Sequence, residues 1–343
     1  MHVLVTGANG HLGYNLVKTL LARGHAVRAS VRRLTDQAKS APLAALGNVE
    51  IVEGDLDRPA TIRAAMEGVD AVVHAAAIYV LMANGREQEI IDASVKGVEV
   101  ALRAARDAGV KKVVLTSSIV TLPLTRRGEA PVTEADWATD LRAPYVRAKT
   151  EGERRAWELS KALKVPLVSI LPGAFGGPGF QTNTPTIDLI ESIMRGALSV
   201  GVPPLNFPYC DVRDVARAHA LALEQDCSGR FVASNATAPM LAEIAALMHA
   251  IDPKVPRPGI TLPSFVMGLA PLLDGIASRL NRSPRTLSPE MAATVRGKIW
   301  NASNARIEKE LGWRPEVPLK TSLADTMATI RANRAEKVTA AEA

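Results

Sequence analysis

The chain has 343 residues, 47% of them hydrophobic, and a formal net charge of +6, enough length to bury a large core as one big domain or two fused lobes. The positive residues come in scattered pairs such as Arg32-Arg33, Arg126-Arg127 and Arg154-Arg155, and aromatics are only 4%, so stacking platforms for nucleic acid are scarce. The longest apolar candidate, Ile260–Leu273, is too short for a bilayer and is broken by Pro263 and Pro271, so neither nucleic acid nor membrane is an expected partner.

Because the first strand starts at once, with no basic n-region or cleavage site before it, no secretory leader is expected. Cys210 and Cys227 show no C-x-x-C and no histidine at ligand spacing, which predicts no disulfide framework, no metal site and a cytoplasmic location.

The opening stretch MHVLVTGANGHLGYNLVKTLLARG reads as strand, tight turn and helix. Val3, Leu4 and Val5 run into Thr6-Gly7, and Leu12, Leu16, Val17, Leu20 and Leu21 then recur at helical spacing until Gly24. Glycines at 7, 10 and 13 remove Cβ atoms where a turn is sharp, where backbone approaches a ligand, and where helix packs on strand. The spacing is one residue longer than the dinucleotide fingerprint G-x-G-x-x-G, and the amides at the helix start, at the positive end of its dipole, suit a pyrophosphate.

Ala26–Val31 is a second strand that ends in Arg32-Arg33. In a doubly wound fold this point lies beside the adenosine ribose, where a carboxylate selects NAD. No Asp or Glu stands there, and the fork of Arg32 matches a 2′-phosphate, favouring NADP(H) with NAD(H) as the alternative. Val49–Glu53 is a third strand, followed by Gly54-Asp55-Leu56, where Asp55 either accepts from the adenine amino group or caps a turn. A helix starts near Pro59. Ala71–His74 is a fourth strand that runs into Ala75-Ala76-Ala77, small residues beside something flat and bulky, and His74 reads as a satisfied core residue rather than a base.

Arg86–Ala108 is a long amphipathic helix, and Val113–Leu115 a fifth strand ending in Thr116-Ser117-Ser118. The polar loop Leu122–Ala143 is long enough to predict a lid. A helix over Pro144–Leu163 places Tyr145 and Lys149 on one face. Pro166–Leu171 is a sixth strand, and Pro172–Gly179 an irregular, glycine-rich exit.

This alternation predicts an α/β fold with a doubly wound parallel sheet. Beyond it we expect helices over Thr186–Arg195, Val212–Leu223 and Leu241–Ile251, a short strand at Arg230–Ala233 and a Pro-rich link, Pro253–Pro263. An apolar helix near Ser264–Leu280, another near Pro289–Arg296, the unit Asn304–Trp313 and a helix from Leu319 to about Asn333 complete the chain. The expected division is a dinucleotide-binding domain over 1–180, a smaller, mainly α substrate lobe over 181–330 with segments around 207–225 returning to the sheet domain, and a charged tail over 331–343.

Tyr145-x-x-x-Lys149 with Ser118 upstream has a chemical logic. A free phenol ionises near pH 10, too high for ready proton exchange at neutral pH. An ammonium one helical turn away, with the charge of an oxidised nicotinamide, favours the phenolate. Lys149 also suits the nicotinamide ribose hydroxyls, and Ser118 would orient a substrate oxygen toward Tyr145. The trio predicts acid–base support for hydride transfer at a carbonyl or alcohol.

The set Thr6–Gly13, Gly54–Leu56, His74–Ala77, Thr116–Ser118, Tyr145–Lys149 and Asp211–Ala216 resembles the extended short-chain dehydrogenase/reductases of the epimerase/dehydratase type. Val27–Arg33 and the context of Ser118 and Tyr145 look most like the dihydroflavonol 4-reductase-like branch. The resemblance implies a Rossmann fold, NADP(H), a catalytic set of Ser118, Tyr145 and Lys149, and a homodimer through Arg86–Ala108 and Pro144–Leu163. It implies coenzyme contacts at Gly7, Asn9, Gly10, His11, Leu12 and Gly13, and at Arg32, Asp55 and Leu56. Further contacts are implied at Ala75, Ala76 and Ala77, and at Thr116, Ser117, Tyr145, Lys149 and Pro172.

Ile78, Tyr79, Trp137 and Phe175, with Ser118, are the expected pocket walls for a small carbonyl or alcohol substrate. Two departures stand out: Ser94 replaces an Asn that serves a water relay in relatives, and Ile170-Leu171-Pro172-Gly173 replaces an Asn-containing segment of nucleotide-sugar enzymes. These features favour an NADPH-dependent carbonyl reductase, with an NAD-dependent nucleotide-sugar epimerase or dehydratase as the alternative.

Overall fold

The computed structural model describes residues 1–76, 85–263 and 289–342. Ala77, Ile78, Tyr79 and the helix expected near Ser264–Leu280 lie outside the described residues. Strands β1 (His2–Thr6), β2 (Ala26–Val31), β3 (Val49–Glu53), β4 (Ala71–His74), β5 (Lys112–Thr116), β6 (Leu167–Pro172) and a later strand, Gly229–Ala233, form one parallel sheet. From the edge held by Gly229–Ala233, the order is then β6, β5, β4, β1, β2, β3. The chain winds outward from β1 to β3, crosses back, and winds outward again from β4. The crevice between β1 and β4 is where such sheets hold ligands.

Both sheet faces are buried, which is why these strands read as near-continuous apolar runs. Val3 and Val5 point into one core with Val73, Val114 and Ile170, whereas Leu4 points into the other with Val72 and Val113. The first face is covered by α1 (His11–Ala22) and by Val212–Glu224. The second is covered by α3 (Pro59–Met66), α4 (Glu87–Asp107) and α5 (Pro144–Leu163). Between β2 and β3 lies α2 (Gln37–Ala44), which the sequence reading did not anticipate because Pro42 interrupts an already short pattern.

Past β6 the chain builds β7 (Ala174–Gly176), α6 (Pro185–Met194), β8 (Gly201–Val202), β9 (Tyr209–Asp211), α7 (Val212–Glu224), β10 (Gly229–Ala233), α8 (Leu241–Ile251) and β11 (Ile260–Thr261). The exit expected to be irregular thus carries β7, which pairs with β9. The expected link contains β11, which pairs with β8. A separate core joins Phe180, Ile187, Ile190, Ile244, Met248 and Met327, giving the C-terminal region its own helical packing.

The last elements are α9 (Pro289–Val295), α10 (Ala305–Leu311) and α11 (Leu319–Glu342). α11 runs past the expected stop at Asn333, through residues that were expected to form a charged tail. The segment after 333 is rich in Ala, Glu, Lys and Arg and has no Gly or Pro to end a helix. Among the described residues no helix is long and apolar enough to cross a membrane.

Asp214 on α7 fastens this C-terminal run to the sheet domain. Its buried carboxylate accepts the backbone N–H groups of Glu316 and Val317, each at 3.0 Å, and Arg217 donates to it at 3.0 Å. Replacing Asp214 by Ala strands two amides and is expected to cost about 2–4 kcal/mol. Urea unfolding checks this, and a midpoint equal to wild type would refute the fastening role.

Candidate active site

A cleft of about 300 Å³ opens at the carboxyl ends of β1, β4 and β5. Gly7, Asn9 and Gly10 supply one wall; Arg32, Asp55 and Leu56 line it near β2 and β3; Thr116, Ser117 and Lys149 line it near β5. Ala75 and Ala76 lie between, close enough that a Cβ on Gly7 would stand 2.9 Å from the Ala76 Cα. Gly7 has a φ of +66°, so it needs both the missing side chain and the left-handed backbone.

Gly13 packs on the turn itself, where a Cβ would lie 2.1 Å from the Gly7 carbonyl oxygen. The first amide of α1 bonded back into the helix start is Tyr14 N–H, to Gly10 O at 2.9 Å. The N–H groups before it lack intrahelical acceptors, and no acidic residue occupies that first turn. This cradle fits the pyrophosphate of a dinucleotide.

Arg32 is exposed at the rim and pairs with no carboxylate among the described residues. Asp55 shapes its own turn, since Oδ1 accepts the Asp57 N–H at 3.1 Å and Oδ2 faces Arg58 Nε at 3.4 Å. Of the two roles weighed for Asp55, the capping one is visible in the chain itself.

Lys149 is half-buried, and burial pulls its ammonium down to about 8, while the Glu153 carboxylate acts in the opposite sense. His74 also lines the cleft. Its Nδ1 shares a hydrogen bond of 2.9 Å with Thr6 Oγ1, which also accepts the Ala76 N–H at 3.1 Å. Burial, then the charge of Lys149, holds the His74 ring neutral, with a pKa of about 4. Thr116 Oγ1 makes a comparable bond of 2.9 Å to His219 Nε2, whose Nδ1–H is committed to Val215 O.

Ser118 and Tyr145 are 7% and 8% exposed and stand beside the cleft wall rather than on it. Ser118 Oγ accepts the Val120 N–H at 3.3 Å at the start of a short 3-10 turn, which leaves its proton to donate. His11, Leu12, Gly13 and Pro172 are likewise buried behind the lining. The His11 ring packs against Phe175 and Phe180, and burial pushes it down to about 4 while the backbone of Pro178 and Gly177 acts in the opposite sense, so it stays neutral.

Phe175 faces His11, with ring centroids 5.6 Å apart. Trp137 lies under the Arg230 guanidinium, 3.7 Å from its ring centre, rather than on the cleft wall. The loop expected to act as a lid is pinned: Thr125 pairs with Ile299 and Val132 with Ala302.

Several lining residues were not anticipated, among them Asp57, Ser94, Gly152 and Glu153. Ser94 donates to Ala148 O at 2.9 Å, and a Cβ on Gly152 would meet its Oγ at 2.7 Å, so this pair sets a close crossing of α4 and α5. Glu153 is a buried carboxylate paired with Arg230 at 2.9 Å. Its place one turn beyond Lys149, on the same helix face, was the available signal.

Comparison with known proteins adds a second line. A sequence model described as the NAD dependent epimerase/dehydratase family matches residues 3–233. Sterol demethylase protein B of Methylococcus capsulatus is 32% identical over 338 residues, covering 96% of this chain and 98% of that protein. Cinnamoyl-CoA reductase 1 of Arabidopsis thaliana is 32% identical over 270 residues, 75% of this chain and 76% of that one. The yeast methylglyoxal/isovaleraldehyde reductase Gre2, solved with NADPH, superposes with a TM-score of 0.75 at 20% identity, over 98% of this chain and 99% of that one.

Proposed function

The chain belongs to the NAD dependent epimerase/dehydratase family, within the dihydroflavonol 4-reductase-like extended short-chain dehydrogenase/reductases, and from that premise we propose that it is an NADPH-dependent reductase of a moderately apolar ketone or aldehyde. The observation that carries this reading is the Lys149 ammonium in the same cleft as the glycine turn, one helical turn from Tyr145. The glycine turn would hold the pyrophosphate, Ala75 and Ala76 would flank the coenzyme, and Arg32 would take the 2′-phosphate. A bound nicotinamide coenzyme supplies the hydride that adds to the carbonyl carbon.

Within this scheme Tyr145 gives its phenolic proton to the carbonyl oxygen, and the Lys149 charge favours the phenolate left behind. Ser118, already an acceptor from Val120, directs its own proton at the same oxygen. Residues 181–330 shape the substrate side. The likeness to a sterol demethylase protein and to a cinnamoyl-CoA reductase supports an apolar substrate.

A panel of methylglyoxal, isovaleraldehyde, cinnamoyl-CoA and a 3-oxosterol, followed at the nicotinamide absorbance, tests the proposal. Oxidation of NADPH by at least one of them is expected. No oxidation with any, together with NAD released from the denatured protein, would put epimerase or dehydratase chemistry in its place.

Coenzyme choice has its own test. Arg32→Ala is expected to weaken NADPH by about 10- to 100-fold, the value of a charge-assisted bond of roughly 1.5–3 kcal/mol, and to leave NADH nearly unchanged. Equal losses for both in a fluorescence titration would remove Arg32 from the phosphate.

A further inference from the structure

Arg230 is a charged residue in an otherwise apolar strand, and the chain satisfies all of its donors. Nε donates to Glu153 Oε1 at 2.9 Å, Nη1 to the carbonyls of Glu134 and Asp136, and Nη2 to Thr121 Oγ1 and Glu153 Oε2. Trp137 closes its face. The partner carboxylate is 2% exposed, yet it lines the coenzyme cleft, and its Oε2 accepts the Ser117 hydroxyl at 2.7 Å.

Ser118 is therefore bracketed. On one side its neighbour Ser117 is tied to Glu153. On the other, the Thr121 hydroxyl that accepts from Arg230 donates to Ser118 O at 2.8 Å. On the same helix face, one turn before Glu153, stands Lys149. We infer that the Glu153–Arg230 pair is a positioning unit of this site, which fixes the Ser117–Ser118 strand end and sets the charge felt by the Lys149 ammonium.

A purely structural ion pair has no need to face the cleft, and buried pairs contribute little net stability compared with apolar replacements. Here the charge has a definite recipient. Burial disfavours the Lys149 ammonium, and Glu153 opposes that effect. Among the other described residues that line this end of the cleft, none does the same: His74 on β4 is neutral, and Thr116, Ser117, Ala93, Ser94, Gly97 and the glycine turn bring no charge; the Tyr145 phenol, one helical turn from Lys149, is kept in every variant below. Asp55 and Asp57 lie with Arg32 toward the other end, and Arg230 sits beyond Glu153 with the opposite sign.

The inference rests on Lys149 belonging to the proposed reacting set, and the test separates the two. In coenzyme-free protein, competitive acetylation of Lys149 by acetic anhydride across pH, read by peptide mass spectrometry, reports its titration midpoint without turnover. Glu153→Gln removes the negative charge and should lower that midpoint by about one unit. Arg230→Met removes the positive one and should raise it. The upper pH limb of NADPH oxidation with the best carbonyl of the panel should move the same way.

If Glu153→Gln fails to fold, the double variant E153Q/R230M removes both charges together, and its midpoint should lie below that of R230M. Midpoints unchanged by each substitution would overturn the inference. Wild-type turnover in Lys149→Met would overturn the proposed reaction instead, while the acetylation midpoint would still report on the pair.

Discussion

Replacing Tyr145 by Phe is expected to lower carbonyl reduction by about 10²- to 10⁴-fold, the span of a lost general acid, while NADPH binding persists. The ring is nearly fully buried and the substitution conserves its volume, so the packing of α5 against the sheet is kept. What disappears is the proton that a carbonyl oxygen must receive as hydride arrives. In the proposed scheme neither Lys149 nor Ser118 replaces it: the ammonium serves the phenolate left behind, and the serine proton orients the oxygen.

Single-turnover oxidation of bound NADPH gives the rate, and fluorescence titration gives the affinity. Turnover equal to wild type would end the catalytic assignment of Tyr145. A pH dependence accompanies it. Because the Lys149 pKa is pulled down to about 8, its positive charge is lost above that pH, and wild-type reduction is expected to decline there.

The sequence made the sheet legible because both of its faces are buried, which leaves unmistakable apolar runs such as Val3–Val5 and Val113–Leu115. The glycine turn was legible because its chemistry is local: three missing Cβ atoms, a strand before and a helix after. Arg230 was opaque because its meaning is distant. A guanidinium in an apolar strand announces that a buried partner exists, but the partner, Glu153, is on α5, far from β10 in the chain, and the supporting carbonyls of Glu134 and Asp136 are backbone groups without any side-chain signature. Trp137 illustrates the same limit, since the guanidinium stacked over its ring comes from a strand far along the chain.

The short pairings β7–β9 and β8–β11 were hidden because two- and three-residue strands leave no period to detect. α11 outran its expected end because charged residues such as Glu336 and Lys337 are good helix formers and no Gly or Pro follows Asn333 to break the helix. The paired strands β7–β9 and β8–β11 fall where a contact from far along the chain decides the local outcome.

Gly13→Ala should be among the most damaging small substitutions in the described residues. Its Cβ would stand 2.1 Å from Gly7 O, 2.7 Å from Ala8 Cα and 2.8 Å from Gly7 C, all backbone atoms of the turn, so no side chain can swing away. Relief requires α1 to lift from β1. That helix carries Leu12, Leu16, Val17 and Leu20 into the core shared with Val3, Val5 and α7, and displacement would open voids along its whole length. The expected cost is about 3 kcal/mol or more, with loss of NADPH binding, because the cradle moves with the helix.

Gly10→Ala separates the two effects. Its Cβ would meet only Gly7 O, at 3.3 Å, but Gly10 lines the cleft. It should therefore leave the urea midpoint close to wild type and weaken NADPH sharply. If the ranking came out reversed, with Gly10→Ala the less stable protein and Gly13→Ala the poorer binder only, the division of labour between close packing and close approach in this turn would be wrong.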